Sequence, residues 1–267
     1  MTVNRIAVVT GANHGIGAAI ARALAQAGTA VLLTGWRVRT PAGAGHPAAY
    51  GEQRARPVEE AAAALRQAGG RAVGIEANLV DPEAPVTLFD RAEAEFGGVD
   101  ILVNNASGWR QDTFGPPELD PHGRPMERVT AATVDANFLV DARAAALLIA
   151  EFAARHRARS ATWGRIVGLT SGGPNGFPTE VSYGAAKAAQ ENYTLTAATE
   201  LAAQGITANV VYPPVTDTGW VTSEVRDFVT GSPGHTHVAA PEDVAEVVRW
   251  LCSDAARLVS GNVIRLR

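Results

Sequence analysis

Short apolar segments alternate with longer alanine-rich segments along most of the chain, and this alternation limits the possible folds more than any other feature. The short segments are apolar throughout, which is typical of parallel strands that are covered on both faces. Most of the longer segments stop at a glycine, a residue that often ends a helix. Regular β-α-β alternation with right-handed crossovers predicts an α/β fold: a single Rossmann-type doubly wound domain with a parallel sheet of about seven strands and helices on both faces.

The boundaries of the elements follow from the same pattern. Strands are predicted over residues 6–10, 30–34, 72–76, 99–103, 165–170, 206–212 and 262–266, and helices over 18–27, 58–68, 82–96, 127–155, 181–203 and 241–252. No segment of the 267 residues reads as a linker, so one domain over 1–267 is expected. Two segments depart from the alternation: a predicted surface insertion over 38–57 and a predicted substrate-binding loop over 216–237. The insertion is either a plain loop or a segment that acts over a cofactor.

Composition excludes several classes of protein. Apolar residues make up 46% of the chain, enough for a buried core, and a net charge of −4 gives no general electrostatic case for binding nucleic acid. The single cysteine, Cys252, excludes an intrachain disulfide and a thiolate-rich metal site. No apolar run approaches the ~18 residues of a membrane span, and the first residues do not read as a signal peptide. We therefore expect a cytoplasmic protein with no membrane partner and no nucleic-acid partner.

A glycine-rich turn joins the first predicted strand to the first predicted helix. Glycines there permit a tight turn and a close backbone approach to a pyrophosphate, and the N-terminus of the helix favours the phosphate charge. The spacing is G-x-x-x-G-x-G rather than the usual G-x-G-x-x-G. Its position between strand and helix still predicts a dinucleotide site, built from Thr10, Gly11, Asn13, His14, Gly15, Ile16 and Gly17.

The end of the second strand bears on the choice between NAD and NADP. Enzymes that use NAD often carry an acidic residue there for the ribose 2′-OH, whereas this chain has no acidic residue before Glu52. Arg37 and Arg39 stand near that position, and a guanidinium can bind a 2′-phosphate through paired hydrogen bonds. His14 could add a donor. NADP is favoured over NAD; the alternative is that both arginines are merely solvated loop residues.

Tyr183 and Lys187 are spaced to lie on one face of a predicted helix, one turn apart. A tyrosine has an ordinary pKa near 10, and a neighbouring ammonium lowers that pKa toward the range useful for acid–base catalysis. This pair alone is common by chance, but Ser171 closes the fifth predicted strand 12 residues before Tyr183. The three side chains are therefore candidates for one chemical site.

The chain resembles the short-chain dehydrogenase/reductase family over nearly its whole length. The matched pieces stand in the family's order and at its spacing: Thr10–Gly17, Asn104-Asn105-Ala106, Asn137, Ser171, Tyr183 with Lys187, and 213–218. The resemblance implies hydride transfer between a nicotinamide and a carbonyl or secondary alcohol.

The resemblance also implies a role for each catalytic candidate. Tyr183 would be the acid–base residue, and Ser171 would hydrogen-bond the substrate oxygen, with Thr170 as the alternative if the register slips by one. Lys187 would bind the nicotinamide ribose and lower the pKa of Tyr183. Asn137 would hold a water in the proton relay.

Further cofactor contacts are implied in the same way. They are Asn78 and Leu79 near the adenine, Asn105, Ala106 and Ser107 along the cofactor, and Pro213, Thr216 and Thr218 at the carboxamide, with Tyr183 and Lys187. Ser107 and Pro214 replace glycines of the family pattern, and proline removes a backbone donor. These departures leave every chemical group of the reaction in place.

The 216–237 segment contains two histidines and several apolar residues. His235 and His237 have no cysteine or glutamate nearby, so no metal site is expected. The 216–237 loop is a predicted lid over the substrate, because long loops at the carboxyl ends of the strands build the crevice of such sheets. Its apolar residues are Trp220, Val221, Val225, Phe228 and Val229, and Trp109, Phe114 and Phe177 could extend the same wall.

The sequence as a whole favours an NADP(H)-preferring oxidoreductase that acts on a small-molecule carbonyl or alcohol, with ketone reduction as the favoured direction. The resemblance implies a homo-oligomer, a tetramer or dimer formed through the helices that carry Asn137 and Tyr183. Two alternatives stay open. One is an epimerase or dehydratase that uses the same site with a bound nicotinamide. The other is a non-catalytic nucleotide-binding regulatory protein, because a fold does not by itself imply a function.

Overall fold

Seven parallel strands form one twisted sheet in the computed structural model, which describes residues 4–38, 47–116, 118–120, 123–173, 175–232 and 236–267. The sheet strands are β1 (Ile6–Thr10), β2 (Ala30–Gly35), β3 (Ala72–Glu76), β4 (Ile101–Asn104), β7 (Gly164–Leu169), β8 (Ile206–Tyr212) and β9 (Val263–Arg265). Their spatial order is β3-β2-β1-β4-β7-β8-β9. The order reverses between β1 and β4, and sheets of this kind bind ligands beyond the carboxyl ends of the strands at that point.

Helices cover both faces of the sheet, so the predicted α/β fold is confirmed. The first face carries α1 (Gly15–Gln26), α3 (Val58–Gln67) and α9 (Pro241–Leu251), and the second carries α4 (Ala84–Phe96), α6 (Ala145–Ala158) and α7 (Val181–Glu200). Leu24 and Val248 are buried on the first face, and Phe89 and Phe152 on the second. Burial on both faces explains why the strand segments are apolar throughout. Across the described ranges, none of the helices is both long and apolar enough to cross a membrane.

The predicted helix over 127–155 is wrong in two respects. Its first residues form β6 (Glu127–Arg128), which pairs with β5 (Asp112–Thr113), and α5 (Ala131–Asn137) begins only after Thr130. The hydroxyl of Thr130 accepts from the Thr133 N–H at 3.2 Å, a capping contact that starts a helix at that residue. The helix then widens into a π-helical stretch (Phe138–Ala144) before α6. Such π-bulges are frequent at functional sites, and this one carries buried Asp141.

The two segments that broke the alternation each contain a helix. Within 38–57 lies α2 (Ala48–Arg54), and within 216–237 lies α8 (Ser223–Gly231). Residues 39–46 of the predicted insertion and 233–235 of the predicted loop, which include Arg39 and His235, lie outside the described residues.

Candidate active site and cofactor cleft

The carboxyl ends of β1, β4, β7 and β8 face one cavity of about 950 Å³. Most of the predicted site residues line it: Gly11, Asn13, His14, Gly15, Ile16, Gly17, Asn78, Leu79, Asn105, Ala106, Ser107, Ser171, Tyr183, Pro213, Thr216 and Thr218. Four others, Thr10, Arg37, Asn137 and Lys187, lie behind or beside its surface. The fold therefore brings segments that are more than 200 residues apart in the chain to one site.

The glycine-rich turn has the shape that a dinucleotide requires. Gly11 and Gly15 have φ of 63° and 56°, a region that side chains rarely adopt. A Cβ on Gly17 would lie 2.2 Å from the Gly11 carbonyl oxygen, so only glycine lets the helix approach the turn. Helix α1 begins there with no side-chain cap and no acidic residue in its first turn. Its first N–H groups therefore favour an anion, and the residues present fit a pyrophosphate.

Thr10 and Asn105 hold this turn against the end of β4. The Thr10 hydroxyl accepts from the N–H groups of Asn105 and Ala106, each at 3.0 Å. The Asn105 amide donates to the carbonyl oxygens of Thr10 and Gly11 at 2.9 and 3.0 Å. Thr10 thus shapes the cleft from behind, while Asn105 also lines it.

His14 is an uncharged residue of this turn at neutral pH. Burial first, and the Arg54 guanidinium second, lower its pKa from 6.5 to about 4. Its ring meets the ring of Tyr50 edge-on, with 5.9 Å between the centroids. Among the described residues, its Nδ1 has no hydrogen-bond partner. His14 can offer a neutral donor or acceptor to a cofactor, but no positive charge.

We expect His14→Gln to reduce the loss of stability in acid. The unfolded His14 takes up a proton near pH 6.5 and the folded one only near 4, so the folded state loses stability as the pH falls through this window. Between pH 7 and pH 5 the His14 share of this loss is about 2 kcal/mol. Urea unfolding at both pH values measures it, with His237→Gln as an exposed control. Equal losses in wild type and His14→Gln would contradict the prediction.

The hydroxyl groups of Ser171 and Tyr183 meet at the cavity surface. Ser171 follows β7 and Tyr183 lies in the first turn of α7, and the Ser171 side chain is close enough to the Tyr183 phenol to lower its pKa. The Tyr183 ring is partly buried beside Phe177, with 6.0 Å between the centroids. The neighbouring Thr170 is buried, and its Oγ1 lies 3.5 Å from the carbonyl oxygens of both Ser171 and Lys187. Ser171 is therefore the hydroxyl that faces Tyr183.

Lys187 is buried behind Tyr183, and its ammonium is fully engaged by the protein. Nζ lies 2.9 Å from each of three acceptors: the Leu169 carbonyl oxygen, Gln190 Oε1 and Asp141 Oδ1. Two of these contacts are hydrogen bonds, to Leu169 and Gln190, and the third is an ion pair with Asp141. The expected contact of Lys187 with a nicotinamide ribose stays a prediction.

In the cofactor-free protein the pKa of Tyr183 is raised, and the predicted lowering by Lys187 is not found there. Burial first, and the Asp141 carboxylate second, raise that pKa well above its ordinary value. Lys187 Nζ lies 5.8 Å from the centre of the Tyr183 ring, and its nearest carboxylate offsets its charge. Tyr183 is therefore a phenol at neutral pH, a form that can donate a proton.

The Asn137 side chain is held by protein partners on both its amide nitrogen and its oxygen. Its amide donates to the carbonyl oxygens of Arg110 and Thr133 at 3.0 and 2.9 Å, and its Oδ1 accepts from the Arg110 N–H at 3.0 Å. The side chain thus ties α5 to the loop after β4 and, although buried, does not line the cavity. The predicted role of Asn137 in holding a water stays a prediction. Asp141, one turn later, is the polar residue beside Lys187.

A charged cluster in the cavity wall was missed by the sequence reasoning. Arg124 Nε lies 2.7 Å from Asp120 Oδ2, and its Nη2 lies 3.1 Å from Glu180 Oε1. The guanidinium carbon lies 5.4 and 5.8 Å from the ring centres of Trp109 and Trp220. Burial raises the pKa of Glu180, whereas Arg124 opposes that rise. Asp120 is four residues from Arg124, but Glu180 is 56 residues away along the chain, so linear spacing does not bring the whole cluster together.

The predicted apolar wall is only partly present. Trp109, Phe177, Trp220 and Phe228 line the cavity, whereas Phe114 is 83% exposed and lies elsewhere. Val225 and Val229 are buried on the inner side of α8, and Val221 does not line the cavity. Among the described residues, no three His, Cys, Asp or Glu side chains are placed to hold a metal ion.

The charges near the predicted adenine end of the cavity differ from those that the sequence predicts. Arg37 Nε lies 3.4 Å from Glu76 Oε1, because the sheet register sets Gly35 of β2 against Glu76 of β3. The Glu76 carboxylate therefore lies near the end of β2, although the sequence has no acidic residue before Glu52. From the 38–57 insertion, Tyr50 and Arg54 line the cavity, which favours a role over the cofactor rather than a plain loop.

Comparison with known proteins adds an independent line of evidence. A family model described as Enoyl-(Acyl carrier protein) reductase matches residues 11–266. The cis-4-hydroxycyclohexanecarboxylate dehydrogenase of Sinomonas cyclohexanicum is 35% identical over 264 residues, 97% of this chain and 94% of that protein. The 3-oxoacyl-(acyl-carrier-protein) reductase of Aquifex aeolicus is 31% identical over 266 residues, 98% of this chain and 95% of that protein. The crystal structure of angucycline C-6 ketoreductase LanV with bound NADP has a TM-score of 0.77 at 31% identity, covering 98% of this chain and 93% of that one.

Proposed function

Because the chain belongs to the short-chain dehydrogenase/reductase family of Rossmann-fold oxidoreductases, we propose that it reduces a ketone to a secondary alcohol with NADPH. The observation that carries this proposal is that the neighbouring Ser171 and Tyr183 side chains line one cavity together with the glycine cradle. Two hydroxyl donors at one point suit a substrate oxygen on which negative charge develops.

The residues divide the chemistry between them. A reduced nicotinamide bound along the glycine turn would supply the hydride. Ser171 donates a hydrogen bond to the carbonyl oxygen and orients it, and Tyr183 passes its proton to that oxygen as the charge grows. Lys187 anchors the first turns of α7 to the end of β7 through the Leu169 carbonyl. Aromatic side chains around the cavity exclude water from the reacting atoms.

The cavity wall supports a cyclic or aromatic ketone as substrate. Trp109, Phe177 and Trp220 offer flat apolar surfaces, and flat rings stack well against such side chains. The relatives include a dehydrogenase named for a cyclohexane substrate and a ketoreductase named for angucyclines, which is consistent with this proposal.

The preference for NADPH rests on arginines at the adenine end. Arg37 follows β2 with 58% of its side chain exposed, so its guanidinium can leave Glu76 for a phosphate at small cost. Arg54 lines the cavity from α2 and is a second candidate. One relative of known structure, the angucycline C-6 ketoreductase, was solved with NADP, which supports the same cofactor here.

We expect Arg37→Ala to weaken NADPH binding about tenfold or more, ~1.4 kcal/mol, and NADH binding by less than about threefold. Fluorescence titrations with the two cofactors measure this difference. Arg22→Ala is the control, because Arg22 is an exposed arginine of α1 paired with Glu242. Equal losses for both cofactors would contradict the 2′-phosphate role of Arg37, and a selective loss only in Arg54→Ala would assign that role to Arg54.

The proposed function is tested by titrating the protein with NADPH and NADH and then following NADPH oxidation with a panel of cyclic ketones. Binding of NADPH and its ketone-dependent oxidation support the proposal. Binding of neither cofactor would favour the non-catalytic alternative, and tightly retained cofactor with no net oxidation would favour an epimerase or dehydratase. The expected homo-oligomer and the cytoplasmic location also stay predictions; ultracentrifugation of the pure protein tests the first.

A further inference from the structure

Asp141 is a fully buried carboxylate on the π-helical stretch behind Tyr183. Its Oδ2 accepts from the Gly108 N–H at 2.8 Å, and its Oδ1 lies 2.9 Å from Lys187 Nζ. A buried charge is tolerated only when it is paired and hydrogen-bonded, and Asp141 meets both conditions. Its two partners come from the loop after β4 and from α7, and both segments contribute residues to the cavity.

The ion pair decides where the Lys187 ammonium is held. Two of its acceptors, the Leu169 carbonyl and Gln190 Oε1, are neutral, and Asp141 is the charged one. Gln190 in turn donates to the Asn104 carbonyl oxygen at 3.0 Å, so the network spans from α7 to β4. Without Asp141 the ammonium would keep two neutral acceptors and would carry an unbalanced charge beside Tyr183.

The other charged groups around Tyr183 do not replace that charge. Glu180, which precedes α7, faces Tyr183 and is paired with Arg124. Tyr50 of α2 faces it as a second phenol, and Ser171 donates to it across the cavity surface. Lys187 and Arg124 thus each have a carboxylate partner. The Ser171 hydroxyl favours a phenolate, whereas burial and the carboxylates of Asp141 and Glu180 oppose it.

We propose that Asp141 is a positioning residue that restrains and neutralises the Lys187 ammonium, so that Tyr183 is held as a proton donor at neutral pH. The inference rests on the proposed function. In the step concerned, the carbonyl carbon accepts a hydride with its two electrons and the carbonyl oxygen accepts the Tyr183 proton. The substrate is reduced, the nicotinamide is oxidised, and Tyr183 regains a proton from solvent.

The reverse step needs the opposite form of Tyr183. Alcohol oxidation requires a phenolate to accept the hydroxyl proton, and burial together with Asp141 raises the Tyr183 pKa. Oxidation is therefore expected to rise only on the alkaline side, while reduction persists at neutral pH.

The test is a titration of Tyr183 in Asp141→Asn, a variant that removes the charge at nearly constant shape. Tyrosinate absorbance is followed with pH in the cofactor-free protein. Because the chain has four tyrosines, the same titration of the matching Tyr183→Phe variant is subtracted. We expect the Tyr183 midpoint to fall by about one pH unit or more. At pH values where the rate of alcohol oxidation still rises with pH, we expect Asp141→Asn to oxidise an alcohol about tenfold faster than the wild type.

Two further variants make the result specific. Asp100→Asn is the matched control, because Asp100 Oδ2 accepts from the Ile6 N–H at 3.1 Å and its Oδ1 from Arg159 at 3.0 Å, at the other end of the sheet. It should leave the Tyr183 midpoint unchanged. Asp141→Ser removes the same charge while its hydroxyl can still accept from Gly108, so the test does not depend on the folding of one variant.

The outcomes separate this inference from the proposed function. A Tyr183 midpoint that stays unchanged in Asp141→Asn and Asp141→Ser, or that shifts equally in Asp100→Asn, overturns the role of Asp141 even if the protein reduces ketones well. The midpoint is read without cofactor or substrate. Failure to oxidise NADPH with any ketone therefore overturns the proposed function independently of the tyrosine titration.

Discussion

Replacing Tyr183 with phenylalanine is expected to lower ketone reduction about a thousandfold, with NADPH affinity changed by less than about threefold. The substitution removes only the hydroxyl oxygen, so the ring keeps its contact with Phe177. What is lost is the proton donor, together with one of the two hydrogen bonds to the substrate oxygen. The cofactor cradle lies at the other end of the cavity and is built from backbone groups of the glycine turn.

Steady-state rates and a parallel NADPH titration measure the two effects separately. Tyr193→Phe is the matched control, because Tyr193 lies on the same helix and is 44% exposed. Wild-type turnover in Tyr183→Phe would exclude Tyr183 as the acid. A loss of NADPH binding equal to the loss of turnover would instead mean that the variant is misfolded or that Tyr183 mainly binds the cofactor.

Ser171→Ala is expected to lower the rate about a hundredfold or more, with a smaller change in KM. The Ser171 hydroxyl contacts Tyr183 and reaches the position of the substrate oxygen, so its contribution grows as negative charge develops there. Thr170→Val is the matched comparison, because the Thr170 hydroxyl is buried against backbone carbonyls of Ser171 and Lys187. We expect Thr170→Val to change the rate by less than about fivefold.

Initial rates of NADPH oxidation over a range of ketone concentrations distinguish the two positions. The opposite ranking, with the larger loss in Thr170→Val, would mean that the register of the site is displaced by one residue. In the double variant that combines Ser171→Ala with Tyr183→Phe, we expect the rate to fall by less than the product of the two single losses, because both hydroxyls act on one oxygen.

The features that the sequence did not predict depend mostly on contacts between residues that are distant along the chain. The interruption of the predicted 127–155 helix depends on the Thr130 cap and on buried Asp141, whose partner Lys187 is 46 residues away along the chain. An aspartate within an alanine-rich apolar stretch was a usable signal, because a buried charge needs a partner. Glu76 beside Arg37 follows from strand pairing, which linear spacing does not contain.

The amino-acid sequence by itself determined the features that depend on neighbours in the chain. Apolar strand runs, glycine stops and the turn before α1 all act over a few residues, so their physics is local and the parallel α/β fold follows from them. The order and spacing of Ser171, Tyr183 and Lys187 likewise predicted a chemical site, and the structure brings the three residues together. Tertiary structure alone decided the charges around that site: Asp141 on Lys187, Glu180 and Asp120 on Arg124, and Glu76 on Arg37. Electrostatic energy depends on distance in space and on burial, and a pKa is therefore a property of the folded site rather than of a motif.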